Sequence, residues 1–147
     1  MTRYAGVLAF HQRRLVLVRE EYPTWGGEFW SIPSGRVDDW ESPAEGASRE
    51  LAEETGLVVP PERLRVVSTT VTTHGSRESR AWNHTVEVSV PDLRVADPDG
   101  SVREARWFDV VEAGEVLSVL PYRPLAEPAV AFLTGRVEPG RDWRYTL

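Results

Sequence analysis

The chain has 147 residues, 23 of them acidic against 17 arginines and no lysine, for a net charge of -6. That balance argues against binding a nucleic-acid polymer, which calls for a basic surface. With no cysteine, disulfide frameworks, thiolate zinc sites and cysteine nucleophiles are all excluded. The arginine bias reads as the imprint of a GC-rich coding genome, as does the use of one isoleucine (Ile32) and one asparagine (Asn83). Length suits one domain over residues 1–147. No apolar run approaches the ~18 residues of a membrane span, and Tyr4 to Phe10 leads into His11-Gln12-Arg13-Arg14 rather than a cleavage site, so a soluble cytoplasmic protein is expected.

Tyr4–Phe10 and Arg14–Arg19 read as a β-hairpin. Glu28–Ile32 reads as a third strand, stopped by the turn-forming cluster Pro33-Ser34-Gly35. The clearest helix follows, because Ser42-Pro43-Ala44-Glu45 supplies an N-cap, a proline at the first helical position and the glutamate of a capping box. Gly56 stops it. Ala44, Ala47, Leu51 and Thr55 give it a narrow face of mostly small residues, suited to lying on a sheet. Leu64–Thr73, Ala81–Val90 and Ala105–Val110 are the next expected strands, and Gly75 to Arg80 between two of them is expected to be a mobile polar loop able to close over a substrate. Val111–Leu117 and Pro124–Leu133 look helical, with Pro128 required to lie in a first turn or to break the second helix. Strands before, between and after the helices, joined by hairpins, predict a mixed sheet.

The chemistry gathers on the capped helix. Glu50, Glu53 and Glu54 stand at i, i+3 and i+4, so three carboxylates share one face within a turn, where like charges repel. Arg49 is the only positive charge on that helix, too little for all three. A hard divalent cation would neutralise them, and oxygen-only ligands favour Mg²⁺ or Mn²⁺ over zinc. Between Arg36 and Glu54 lie seven acidic residues and two arginines, so a local charge of -5 accounts for nearly all of the chain's acidity.

Gly35, five residues, Glu41, seven residues, Arg49-Glu50-Leu51, one residue, Glu53-Glu54, one residue, Gly56-Leu57 resembles a complete Nudix box, the signature of the MutT-type pyrophosphohydrolases. Trp30-Ser31-Ile32-Pro33 resembles the usual approach to it, and Ser34 departs from the second glycine found in many members. The resemblance implies an α/β/α sandwich with a mixed β-sheet and a catalytic loop-helix-loop, forming a single Nudix hydrolase domain. It implies Mg²⁺-dependent hydrolysis of a nucleoside diphosphate linked to another moiety, first among them a (deoxy)nucleoside triphosphate cut to monophosphate and pyrophosphate. By position, Glu53 and Glu54 would be metal ligands, with Glu50 joining them or acting as general base. Arg49 would hold the glutamates, Ser34 or Gly35 would offer a carbonyl, and Glu41 would support the loop through a salt bridge or a water-mediated metal contact. Some members take the base from outside the box, which makes Glu78, Asp97, Asp99 and Glu104 the alternatives.

Two other readings stay open: an ADP-ribose or sugar-nucleotide pyrophosphatase, and a domain that senses a nucleotide or ADP-ribose without cleaving it. An isopentenyl diphosphate isomerase on the same fold would call for the cysteine this chain lacks. Thr72, Thr73 and His74 stand where ADP-ribose and dinucleoside polyphosphate enzymes carry a marker proline or tyrosine. Arg19 and Arg80 suit phosphate, and Trp25 and Trp82 suit a base. Trp30 and Trp107 read as sheet packing, and Trp40 as an anchor of its acidic loop. The expected partner is a small nucleotide; a homodimer is compatible with the sequence without being dictated by it.

Overall fold

The computed structural model describes residues 1–147. Eight strands, β1 (Thr2–His11), β2 (Arg14–Tyr22), β3 (Gly27–Ser31), β4 (Ser34–Arg36), β5 (Arg65–His74), β6 (Arg77–Glu87), β7 (Val102–Asp109) and β8 (Arg141–Thr146), share one mixed sheet with three helices, α1 (Pro43–Thr55), α2 (Val110–Ser118) and α3 (Arg123–Leu133). The strand order is β3-β2-β1-β6-β5-β8, with β4 added to β1 and β7 to β2. The unbroken apolar run of β1 explains its central place, since a strand buried on both faces cannot alternate. Ala5, Val7 and Ala9 pack towards Ala47 and Leu51 of α1, while Leu8 joins Leu15, Leu17 and the α2 and α3 residues Leu117 and Ala129. Helices on both faces of this mixed sheet make the α/β/α sandwich.

β1 is also where the sheet opens. Its pairing with β2 is confined to Phe10 and His11, and β4 takes the same edge at Tyr4, Ala5 and Gly6. The other edge pairs in parallel with β6 along nine residues, from Thr2 with Ser79 to Phe10 with Glu87. β2 therefore diverges from β4, leaving a cleft above the N-terminal half of β1.

Helix α1 begins as expected: the Glu45 amide donates to Ser42 Oγ at 3.1 Å and the Ser42 amide to Glu45 Oε1 at 2.8 Å. Such a cap is worth about 1 kcal/mol. The helix ends at Gly56, whose φ of 80° needs the missing side chain. There the segment after β6 is laid across the helix end, with the Arg94 amide donating to Thr55 O at 2.7 Å and the Ala96 amide to Glu53 O at 2.8 Å. A Cβ on Gly56 would meet the Arg94 backbone at 2.7 Å.

Several expectations are corrected. Ser34-Gly35-Arg36 is a strand, because the unfilled edge of β1 is available to pair it. Gly75 to Arg80 is no loop: Gly75 and Ser76 make a two-residue turn closed by the pair His74 and Arg77, and β6 starts at once. A φ of 60° at Gly75 meets the left-handed first position of such a hairpin. Pro128 sits in the middle of α3 without breaking it. It is buried with Pro124, Ala126, Ala129 and Ala131, and that packing outweighs one missing hydrogen bond to the Pro124 carbonyl. Trp40 is 82% exposed and anchors nothing to the sheet. Strand β8 was not foreseen; it pairs in parallel with β5 from Ser68 and Arg141 to Thr73 and Thr146.

Candidate active site

Arg49 is the hub of the site. Its Nε donates to Glu41 Oε2 at 2.8 Å and its Nη2 to Glu41 Oε1 at 2.9 Å, a bidentate pair. Nη2 also reaches the Arg36 carbonyl at 2.9 Å, tying the helix to β4. Nη1 donates to Glu50 Oε1 at 3.0 Å and more distantly to Glu53 Oε2 at 3.5 Å. Glu41 in turn accepts the Asp38 amide at 2.9 Å. The hydrogen bonds from Arg49 hold the Glu41 carboxyl below the usual carboxylate range, even though burial works against them. Glu41 thus links Arg49 to the loop at Asp38.

Glu54 is 5% exposed and accepts the Ser34 amide at 3.2 Å. Burial pushes its carboxyl upward, and the adjoining Glu50 carboxylate pushes it further. Burial raises Glu50 as well, against the pull of Arg49. Two neighbouring carboxylates in a poorly solvated place hold a proton between them or share a cation. Gly35 marks how closely they are packed: a Cβ there would overlap the Glu50 carboxyl group, with Oε2 at 2.7 Å. The donors are all oxygen, from two or three carboxylates and the adjacent backbone carbonyls, and that chemistry fits a hard divalent cation. As the side chains stand, no three acidic or histidine groups are close enough to enclose an ion. Glu53, turned towards Arg49, has to swing to join the pair.

The cleft beside this cluster has a volume of about 870 Å³ and is bounded at one end by Ser34, Gly35 and Arg36. An aromatic wall runs away from them: Tyr22 stacks on Trp25 with centroids 4.1 Å apart, and Trp25 faces Tyr122 at 5.8 Å with rings 19° from parallel. His74 continues the series, its ring 6.3 Å from that of Tyr122. Thr70, Thr72 and Asn83 line the cleft from β5 and β6.

The structure brings Ser34, Gly35, Glu41, Arg49, Glu50, Glu53 and Glu54 together, and it places Trp25 in the cleft wall. Three other candidates lie elsewhere. Arg19 is committed to Glu28 at 2.6 Å and Glu104 at 3.4 Å, which also occupies Glu104. Arg80 and Trp82 are not in the cleft, which is lined by Arg77 and Glu78 at the start of β6 and then by Ser79, Ala81 and Asn83. By the alternation of a strand they project from the opposite face, the guanidinium 5.8 Å from the Trp82 ring. Among the alternative bases, Glu78 borders the cleft and Asp99 is exposed. Asp97 accepts the amides of Asp99, Ser101 and Val102. Burial works to raise its carboxyl, and those bonds together outweigh it.

Sequence reasoning missed Glu20. It lines the cleft, accepts the Tyr22 hydroxyl at 2.8 Å, and its charge adds to the upward push on Glu54. Burial raises its own carboxyl too. The available signal was the period-two continuation of the buried Val16 and Val18 into a charged residue.

A family model described as the NUDIX domain matches residues 2–131. The chain belongs to the Nudix family. The chain is 36% identical over 110 residues to a CMP-5'-(N-acetyl-N-hydroxy-3-aminopropyl)phosphonate hydrolase of Streptomyces rubellomurinus, covering 72% of this chain and 50% of that protein. It is 35% identical over 119 residues to a protein named octanoyltransferase in Myxococcus xanthus, covering 79% of this chain and 31% of the other. The chain thus spans half or less of these two curated relatives. A NUDIX hydrolase of Nitrosomonas europaea superposes with a TM-score of 0.72 over 99% of this Nudix chain and 78% of its own, at 15% identity, a likeness of fold. No helix is long and apolar enough to cross a membrane.

Proposed function

We propose that this Nudix protein is a divalent-cation-dependent pyrophosphohydrolase. In this reading residues 1–147 act as one domain on a nucleoside diphosphate linked to another group, with a (deoxy)nucleoside triphosphate cut to monophosphate and pyrophosphate as the substrate. The observation that carries it is the adjoining pair of carboxylates, the half-buried Glu50 packed against Gly35 and the buried Glu54 bonded to the Ser34 amide, at one end of an aromatic-walled cleft large enough for a nucleotide.

Glu53 and Glu54, with the Ser34 or Gly35 carbonyl, would hold Mg²⁺ or Mn²⁺. When bound, such an ion offsets charge on phosphoryl oxygens and acidifies water. Arg49 fixes Glu50 from one side while Gly35 leaves room for its carboxyl group on the other, so Glu50 is held where it can accept a proton. Burial raises its proton affinity, which suits a base working near neutral pH. The aromatic wall orients the nucleoside, and Arg36 and Arg77, both bordering the cleft, are the cations available to phosphate.

A screen of nucleoside triphosphates, sugar nucleotides and dinucleotides with Mg²⁺, products identified by mass, tests this reading. A monophosphate and pyrophosphate are expected from at least one triphosphate, and none from Glu54→Gln. Tight nucleotide binding without any product would replace hydrolysis by sensing.

A further inference from the structure

Asn83, the single asparagine of the chain, has an unusual setting. It is 6% exposed, and what exposure it keeps opens into the cleft. The next two side chains of β6 are both bonded across to β1: His84 Nδ1 contacts the Gly6 carbonyl at 3.2 Å and Thr85 Oγ1 donates to the Leu8 carbonyl at 3.0 Å. The Asn83 amide has no such partner. Its oxygen lies against Gly6, where an added Cβ would come within 2.9 Å of it. The glycine therefore leaves the amide its place in the cleft. Thr70 repeats the pattern on β5: it is 3% exposed, it lines the cleft, and its hydroxyl is bonded to nothing in the protein.

No polar atom of either side chain is sealed from solvent, so both remain open through the cleft, and a group entering there can take up their hydrogen bonds. A carboxamide presents a donor beside an acceptor in one plane, and its natural complement is a planar edge offering an acceptor beside a donor. Heteroaromatic bases have such edges; sugars and alkyl chains do not. The same cleft supplies flat faces for such a ring in Trp25 and Tyr122.

We infer that Asn83, assisted by Thr70, reads the hydrogen-bonding edge of a nucleobase in the cleft. It is a specificity-determining residue that separates nucleotides from diphosphates carrying no base. The inference rests on the nucleotide reading of this cleft, yet it concerns binding and not the cleavage step. Glu50, Glu53 and Glu54 have no part in it.

The test is titration calorimetry without Mg²⁺, using adenosine, guanosine, cytidine and uridine 5′-monophosphates, with ribose 5-phosphate as the ligand lacking a base. None of these has a pyrophosphate bond, so the result is independent of hydrolysis. The wild-type protein is expected to bind at least one nucleotide ten times more tightly than ribose 5-phosphate. Asn83→Leu and the near-isosteric Asn83→Asp are expected to lose most of that difference, Thr70→Val part of it, with ribose 5-phosphate binding unchanged. Melting curves identify any variant that fails to fold, and Asn83→Asp and Thr70→Val are there to carry the test if Asn83→Leu does. Nucleotide binding at wild-type strength in folded Asn83 variants overturns the inference, as does wild-type binding no tighter than that of ribose 5-phosphate. Base-dependent binding in a protein that yields no product would leave this inference standing and remove only the hydrolytic function.

Discussion

Gly35→Ala separates stability from catalysis more cleanly than removing a carboxylate does. Gly35 has no positive φ, so alanine brings no backbone strain. The new methyl would overlap the Glu50 carboxyl group, and even the farther oxygen must retreat from 2.7 Å to the 3.4 Å at which ordinary contact begins. The whole group is displaced by roughly an ångström, a shift that costs about a hundredfold when it misplaces a reacting group. Because the obstacle is the far end of a side chain, the fold should absorb it with a melting temperature within about 2 °C of wild type, matching a loss under ~0.5 kcal/mol. Steady-state pyrophosphate release, measured beside a melting curve, reads both quantities. Turnover within threefold of wild type in the folded variant would refute the reasoning, because Glu50 would then not be needed where it stands.

The pH dependence of stability should also report the carboxylate pair. Groups whose folded-state affinity for protons is raised contribute stability that is full below the ordinary carboxylate value and is lost as pH rises. The cation-free protein should therefore lose melting temperature from about pH 4.5 upward into the alkaline range, and Mg²⁺ should restore more of it at pH 8 than at pH 5. Glu54→Gln should flatten that dependence, abolish the Mg²⁺ effect and reduce turnover at least a hundredfold; an unchanged Mg²⁺ response in scanning calorimetry would count against Glu54 as a ligand. Arg49→Lys keeps the charge but cannot span Glu41, the Arg36 carbonyl and Glu50 at once, so turnover should fall by about a hundredfold in the same pyrophosphate assay. Trp25→Leu should raise KM for a nucleotide about tenfold with kcat nearly unchanged, the scale of one lost stacking partner; a fall in kcat alone would place Trp25 outside the binding wall.

What could be read from the sequence was local. The capping box at Ser42 and the stop at Gly56 depend on neighbours a few residues away, and both appear in the structure as expected. Ser34 to Arg36 could be taken for a turn because its strand exists only through an edge of β1 that β2 vacates. Arg80 and Trp82 had the right chemistry, but a strand's two faces look alike until the covering elements are known. Asn83 belongs to no motif and becomes informative only through where the cleft lies, whereas Glu20 carries a faint signal in the period of its strand and gains its meaning from the same cleft.

The two bonds that the segment after β6 makes to the end of α1 give that segment a hold on the backbone that carries the carboxylates. Arg49 ties the helix to the Arg36 carbonyl of β4 and the amides of Arg94 and Ala96 hold its C-terminal end, so the helix cannot slide along its axis without breaking one set. Glu53 itself supplies one of the carbonyls being held. Changes between Val90 and Ala96, none of which lines the cleft, would then shift the carboxylates as a unit. A lineage could retune metal affinity or pH optimum by editing that surface segment and leaving every residue of the box intact.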